Sequence, residues 1–261
     1  MIKKPKQDPD FVVSREIKSK LSDNHLFSSS SAPWQQRIIR DFLYSTKISN
    51  PQCLDAACGV GNNIRTLLKL STSIYAVDRS PRALEFAQDR YKEQLSSITF
   101  SIGELENLPF PPNTFDLILC TEALEHVRDV NAAIKELSRV LKPKGIIILS
   151  FQNYLNPSVF IKPLTEYFTG KNWDAWGTHN HSEGYERFLT YFQVKKALLY
   201  NKDIKIISVR GADYLNGWLG WVPGIHKNYD LLDSVPLLSI GRLPLVKIMG
   251  MDCFVLAKKI K

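Results

Sequence analysis

The chain has no run of roughly 18 apolar residues, the length that a membrane-spanning helix needs. Its first residues, M-I-K-K-P-K-Q-D-P-D, lack the apolar core of a secretory signal. Cysteine is scarce: Cys53, Cys58, Cys120 and Cys253 are the four in 261 residues, and none forms a C-x-x-C pair. That argues against a disulfide framework or a cysteine-built metal centre, and it points to reduced thiols in a cytoplasmic protein. No internal repeat is present. The formal net charge is +8, but much of the excess sits at Lys3, Lys4 and Lys6 and at Lys258, Lys259 and Lys261. These read as solvated tails rather than a nucleic-acid face. With 44% hydrophobic and 23% charged residues, the composition suits one large globular domain, or a domain with a cap.

Between these absences lies an alternating pattern. Pro33 to Thr46 has helical spacing, with Trp34, Ile38 and Phe42 on one face. Then come a strand at Gln52 to Ala56, a helix at Asn62 to Leu70 and a strand at Ile74 to Asp78. Ser80 and Pro81 supply an N-cap and a first-turn proline for the next helix. Strands follow at Ile98 to Ile102 and Phe115 to Cys120, the second apolar throughout, as expected of a strand buried on both faces. A helix at Val130 to Leu141, stopped by Pro143, leads to a strand at Gly145 to Ser150. Thr190 to Asn201 reads as a helix, and Ile204 to Val209 and Cys253 to Lys258 as two last strands. The pattern predicts an α/β fold: a doubly wound, mostly parallel, seven-stranded sheet. Residues 1–48 form an N-terminal helical segment and 49–261 the main domain, with 152–190 and 211–250 as cap insertions. In particular, roughly forty residues separate the last two strands, far more than a hairpin needs.

Ligands of such sheets bind at the carboxyl ends of the strands. After the first strand stands L-D-A-A-C-G-V-G-N-N, where Gly59 and Gly61 allow a sharp turn and close approach of a ligand to backbone. The following helix N-terminus favours an anionic group there. Ile64 stands where a dinucleotide fingerprint has its third glycine, which argues against a pyrophosphate cofactor. Asp78 ends the second strand 17 positions after Gly61, the separation of a ribose-binding acid; helix capping is the bland alternative.

In order, L-D-A-A-C-G-V-G-N, A-V-D-R-S, G-E-L-E-N-L-P-F-P-P-N-T-F-D-L-I-L-C and E-H-V-R-D-V-N-A-A-I-K-E-L-S-R-V-L-K-P-K-G resemble the motifs of class I S-adenosylmethionine-dependent methyltransferases. The likeness is to the branch holding the ubiquinone and menaquinone biosynthesis enzymes, and it covers roughly residues 50–151. The resemblance implies S-adenosylmethionine as cofactor. It places the methionine part on the loop of Ala57, Gly59 and Gly61, with Asp55 near the amino group. It places the ribose on Asp78, the adenine beside Arg79, Glu104 and the Leu105 amide, and the backbone of Thr121 at the cofactor. Three residues depart from the pattern: Ala57 replaces a common glycine, Glu104 a commoner aspartate, and K-P-K-G stands for K-P-G-G.

For the acceptor, the resemblance puts T-E-A-L-E-H-V beside the transfer centre, with Glu122 and His126 as candidate catalytic groups and local packing as the alternative. Trp173, Trp176, His179, His181 and Tyr185 are candidate substrate contacts in a later aromatic segment. No metal is expected. The tryptophan-rich stretch Tyr214 to Pro223 suits a cap or a peripheral membrane contact. A small-molecule or lipid-like acceptor is the expected substrate, and the chain a monomer or homodimer. A nucleic-acid (RNA) methyltransferase, disfavoured because C-T-E-A follows the fourth strand, and a non-catalytic cofactor-binding protein are the alternatives.

Overall fold

The computed structural model describes residues 33–156, 189–200, 202–213 and 242–261. Helix α1 spans Pro33–Thr46. It is followed by β1 (Gln52–Ala56), α2 (Ile64–Leu67), β2 (Ser73–Asp78), α3 (Pro81–Arg90), β3 (Ile98–Ile102) and β4 (Phe115–Cys120). Then come α4 (Val130–Val140), β5 (Leu141–Gln152), α5 (Tyr191–Tyr200), β6 (Ile204–Ala212) and β7 (Asp252–Lys259). The strands form one seven-stranded sheet in the order β3-β2-β1-β4-β5-β7-β6. Strands β1 to β5 pair in parallel and β6 points the same way; β7 alone runs antiparallel, between β5 and β6. The mostly parallel, doubly wound sheet is as the alternation predicts.

Strand period explains why both faces are buried. Along β4, Leu117 and Leu119 join the core under α1 and α3, while Ile118 and Cys120 join the core under α4 and α5. All four cysteines are buried free thiols, and burial pushes Cys53 up to about 12. Helix α1 lays Trp34, Ile38 and Phe42 on the sheet, with Trp34 edge-on to Phe254 at 6.1 Å between ring centroids. Each such side chain contributes about 1.5–3 kcal/mol on burial. The ion pair from Arg210 Nη1 to Asp41 Oδ2, 2.8 Å, contributes less because Asp41 is 40% exposed. Apolar packing therefore docks α1, and the ion pair orients it. Ser80 caps α3 by accepting the Ala83 N–H at 3.1 Å, as its sequence signature predicts.

Three expectations need correction. The helix read at Asn62 to Leu70 is only Ile64–Leu67, because i−3 bonds (Thr66 N–H to Asn63 O, Leu70 N–H to Leu67 O) tighten both ends. A single helical turn offers little macrodipole, so the anion argument for this helix fails. Strand β5 begins at Leu141, before Pro143: the pairing jumps from Phe115↔Leu141 to Leu117↔Ile146, so the proline sits in a bulge where no ladder N–H is needed. Lys259 is no solvated tail. It is 9% exposed, and its Nζ donates to the carbonyls of Ser138 and Leu141 and to Asn113 Oδ1, tying β7 to the end of α4. Among the described residues no helix is long and apolar enough to cross a membrane.

Two of the departures from the family pattern fall on left-handed backbone: Ala57 at φ 58° and Lys144 at φ 68°. A Cβ costs roughly 1–2 kcal/mol there. Lys144→Gly is expected to raise stability by up to about 1 kcal/mol, once the looser unfolded chain is counted. The urea midpoint measures this; an unmoved or lower midpoint would mean that the bulge carries no strain.

Candidate functional site

The strand order reverses at β1, where β2 lies on one side and β4 on the other. Successive crossovers leave the sheet in opposite directions there and open a crevice at the carboxyl ends. A cavity of about 610 Å³ lies in it. Ala57, Gly59, Asp78, Arg79, Glu104, Leu105, Thr121, Glu122 and His126 all line it. Residues from four separate motifs thus meet in one space.

Asp78 organises the β1–β2 side. Its Oδ2 accepts the Gly59 N–H at 2.8 Å and its Oδ1 the Ser80 N–H at 2.9 Å. It therefore fixes the glycine turn and steadies the start of α3 together. Gly59 has φ +52°, and a Cβ built on it meets nothing within 4 Å, so the turn presents open space at the cavity wall. Gly61 differs. Its Cβ position lies 2.9 Å from the Tyr91 ring, its carbonyl accepts the Tyr91 hydroxyl at 2.9 Å, and it does not line the cavity. Its glycine serves the packing of α3 against the loop.

Asp55 also lies behind the wall. It is fully buried, and neither carboxyl oxygen has a hydrogen-bond partner. Burial raises it to about 7; the nearby Asn63 amide opposes that rise without hydrogen-bond geometry, and the charge of Asp78 adds to it. Asn63 instead donates to Thr121 Oγ1 at 2.8 Å and accepts from Gln36 Nε2 at 3.0 Å. Thr121 thus takes part through its side chain as well as its position.

On the far side, Arg79 reaches the His126 carbonyl at 3.5 Å, and Glu104 is exposed at the rim. Glu122 has φ 49°, a strained value for a residue with a Cβ. Its N–H donates to the Ser150 carbonyl of β5 at 3.0 Å, and its Oε1 accepts the Ser150 hydroxyl at 2.5 Å. Burial pushes the Glu122 carboxyl up, the Ser150 bond opposes this, and Asp213 adds to it. Glu125 lines the cavity and is 1% exposed.

Trp173, Trp176, His179, His181 and Tyr185, like Tyr214 to Pro223, lie outside the described residues. Sequence reasoning missed Gln35 and Ile39 of α1, and Ser150, Gln152 and Phe254 of β5 and β7, all of which line the cavity. Their signal is tertiary: a polar residue inside a buried strand, such as Ser150, was the one local clue.

The residues at hand fit an adenosyl sulfonium amino acid. A buried carboxyl without hydrogen bonds suits an ammonium group, an acid at the end of β2 suits a diol, and the open glycine turn leaves room between them. The family model described as Methyltransferase domain matches residues 54–149. The chain is 30% identical over 196 residues to the Ubiquinone biosynthesis O-methyltransferase of Bartonella bacilliformis, which covers 74% of this chain and 76% of that protein. It is 31% identical over 150 residues to the protein of the same name from Pelagibacter ubique, over 56% of this chain and 61% of that one, so it spans about three fifths of that relative. A solved S-adenosylmethionine dependent methyltransferase from Mesorhizobium loti superposes with a TM-score of 0.60 at 17% identity, covering 88% of this chain and 99% of that one, a likeness of fold. The matched residues include most of those that line the cavity, and the long alignment continues beyond them: the chain belongs to the class I S-adenosylmethionine-dependent methyltransferase family.

Proposed function

We propose that the chain transfers a methyl group from S-adenosylmethionine to a small-molecule or lipid-like acceptor, with quinone-related ring compounds as the first candidates. The observation that carries this reading is that one cavity holds a diol-type acid and glycine turn at one end and the Glu122–Ser150 pair at the other. The names of the two Ubiquinone biosynthesis relatives support the acceptor class. The cofactor supplies an electrophilic methyl group on a positively charged sulfur, so the protein has to align an acceptor atom in line with it and keep water out. Asp78 would hold the ribose and Glu104 with Leu105 the adenine. Glu122 would receive the acceptor's proton, with His126 beside it in the same wall. Of the two expected cap insertions, residues 157–188 and 214–241 lie outside the described residues; Gln152, at the start of the first insertion, lines the cavity.

Calorimetry with S-adenosylmethionine tests the cofactor assignment. Asp78→Ala is expected to weaken binding by about 5- to 150-fold, the scale of 1–3 kcal/mol for a lost charged hydrogen-bond group. Unchanged affinity would remove Asp78 from the ribose, and absence of binding by the unaltered protein would sink the reading as a whole.

A further inference from the structure

The N-terminal helix is conspicuous for what it does beyond covering core. Its apolar face accounts for Trp34, Ile38 and Phe42, yet Gln35 and Ile39 reach the cavity wall, and Gln36 is half-buried. Gln36 makes two side-chain bonds of opposite sense. Its Oε1 accepts the Thr66 hydroxyl at 2.8 Å and its Nε2 donates to Asn63 Oδ1 at 3.0 Å. Asn63 then donates from Nδ2 to Thr121 Oγ1 at 2.8 Å. A chain of polar bonds therefore runs from Thr66 through Gln36 and Asn63 to the end of β4. The two amides are coupled in orientation. The hydroxyls at the two ends of the chain can donate or accept, so the bond between the amides sets their relation: with Gln36 Nε2 on Asn63 Oδ1, the Asn63 NH₂ faces Thr121 and the cavity. An unoriented Asn63 could present either end.

This matters because of what lies underneath. Asn63 is 4% exposed, lines the cavity and stands beside Asp55, whose two carboxyl oxygens lack hydrogen bonds. A buried carboxyl in that condition is a receptor for a cationic donor such as an ammonium group. A wrongly turned Asn63 would place its oxygen on Thr121 and withdraw the NH₂ donors from the wall where a carboxylate would lie.

We propose that Gln36 is a positioning residue of the cofactor site: through Asn63 it orients the wall that receives the zwitterionic amino-acid end of the cofactor, leaving the adenosine end untouched. The inference rests on the cofactor reading above. It makes α1 a working part of the site, although no motif marks it.

Two ligands separate the ends. S-adenosylhomocysteine carries the amino-acid tail; 5′-methylthioadenosine shares the adenosyl thioether and lacks it. Calorimetry on the full chain is done with both, for the unaltered protein, Gln36→Met, Gln36→Ala and Asp78→Ala. Gln36→Met keeps the side-chain bulk and removes both bonds, and a thermal melt checks that it is folded. Both Gln36 variants are expected to bind S-adenosylhomocysteine about five- to tenfold more weakly, with 5′-methylthioadenosine unaffected. Asp78→Ala should weaken both ligands. Equal weakening of the two ligands by Gln36→Met would reveal a general structural role and overturn the proposal, as would unaltered affinity for both. If the unaltered protein binds neither ligand, the cofactor reading itself fails, which is a different result.

Discussion

Asp55→Asn is expected to make the ligand-free protein more stable at pH 8 while weakening its hold on the cofactor. The physical reason is the same for both effects. Asp55 is fully buried beneath the glycine turn, and its carboxyl oxygens have no hydrogen bonds. Burial therefore raises its pKa from 3.8 to about 7, with Asp78 adding to the rise and Asn63 opposing it. The folded pKa lies above the unfolded one, so the folded state binds the extra proton. Stability is then greatest below about pH 4 as far as this group is concerned, and falls as pH rises toward about 7. Above that range the whole penalty applies, on the order of 4 kcal/mol as an upper figure. An asparagine of the same shape carries no such slope. Urea unfolding at pH 5 and pH 8 should show the advantage of Asp55→Asn growing with pH, and calorimetry should show a loss of affinity for S-adenosylmethionine. A constant difference between the two pH values would mean that the native carboxyl ionises freely, and the ammonium-receptor argument would go with it. The trade of stability for binding is what a site prepared for a charged ligand requires.

What could be read from the sequence, and what could not, divides along the distance over which each feature is determined. The strands β1 to β4 were legible because each is a short apolar run with a turn signal at its end, and Ser80–Pro81 announced α3 in two residues. Asp78 and Gly59 were legible for the same reason: the turn and the acid lie next to the strands that carry them. Gly61 was legible as a glycine but not in its task, which is set by Tyr91, 30 residues on. Gln36 and Asn63 are 27 positions apart, and Glu122 and Ser150 are 28 apart. No local pattern joins them; the sheet order does. The antiparallel direction of β7 was likewise invisible, since an apolar run has no arrow. Pro143 misled in a physical way: it does end α4, but a bulge opposite Asp116 lets the chain continue as strand, with Lys142 Nζ on Asp116 Oδ2 at 2.9 Å.

On the acceptor side, Glu122→Gln is expected to lower kcat by about 10²-fold or more, the usual contribution of a positioned general base, with cofactor affinity little changed. Three groups act on this carboxyl. Ser150 of β5 donates to it and favours its ionised form. Asp213, after β6, disfavours that form. Asp252 of β7 is pushed well above the carboxylate range by burial first, then by Glu122, Asp213 and Glu125. Glu122 and Asp252 thus oppose each other's ionisation, and the Ser150 bond decides that Glu122 loses its proton more readily. A base must be ionised to act, so kcat should rise with pH through the raised pKa of Glu122, and the glutamine variant should lose that limb. Ser150→Ala should move the limb to higher pH, because it removes a bond made to the charged form; a merely structural serine would lower stability and leave the limb in place. His126, in the same wall, is the competing candidate for the base. If His126→Ala abolishes the limb while Glu122→Gln keeps it, the proton passes to the imidazole, and the strained backbone of Glu122 at φ 49° must be explained by packing alone. Against that outcome stands the geometry: strain of this kind persists where surrounding bonds enforce it, and Ser150 holds Glu122 twice over, its carbonyl and hydroxyl accepting the Glu122 N–H and its hydroxyl donating to Glu122 Oε1.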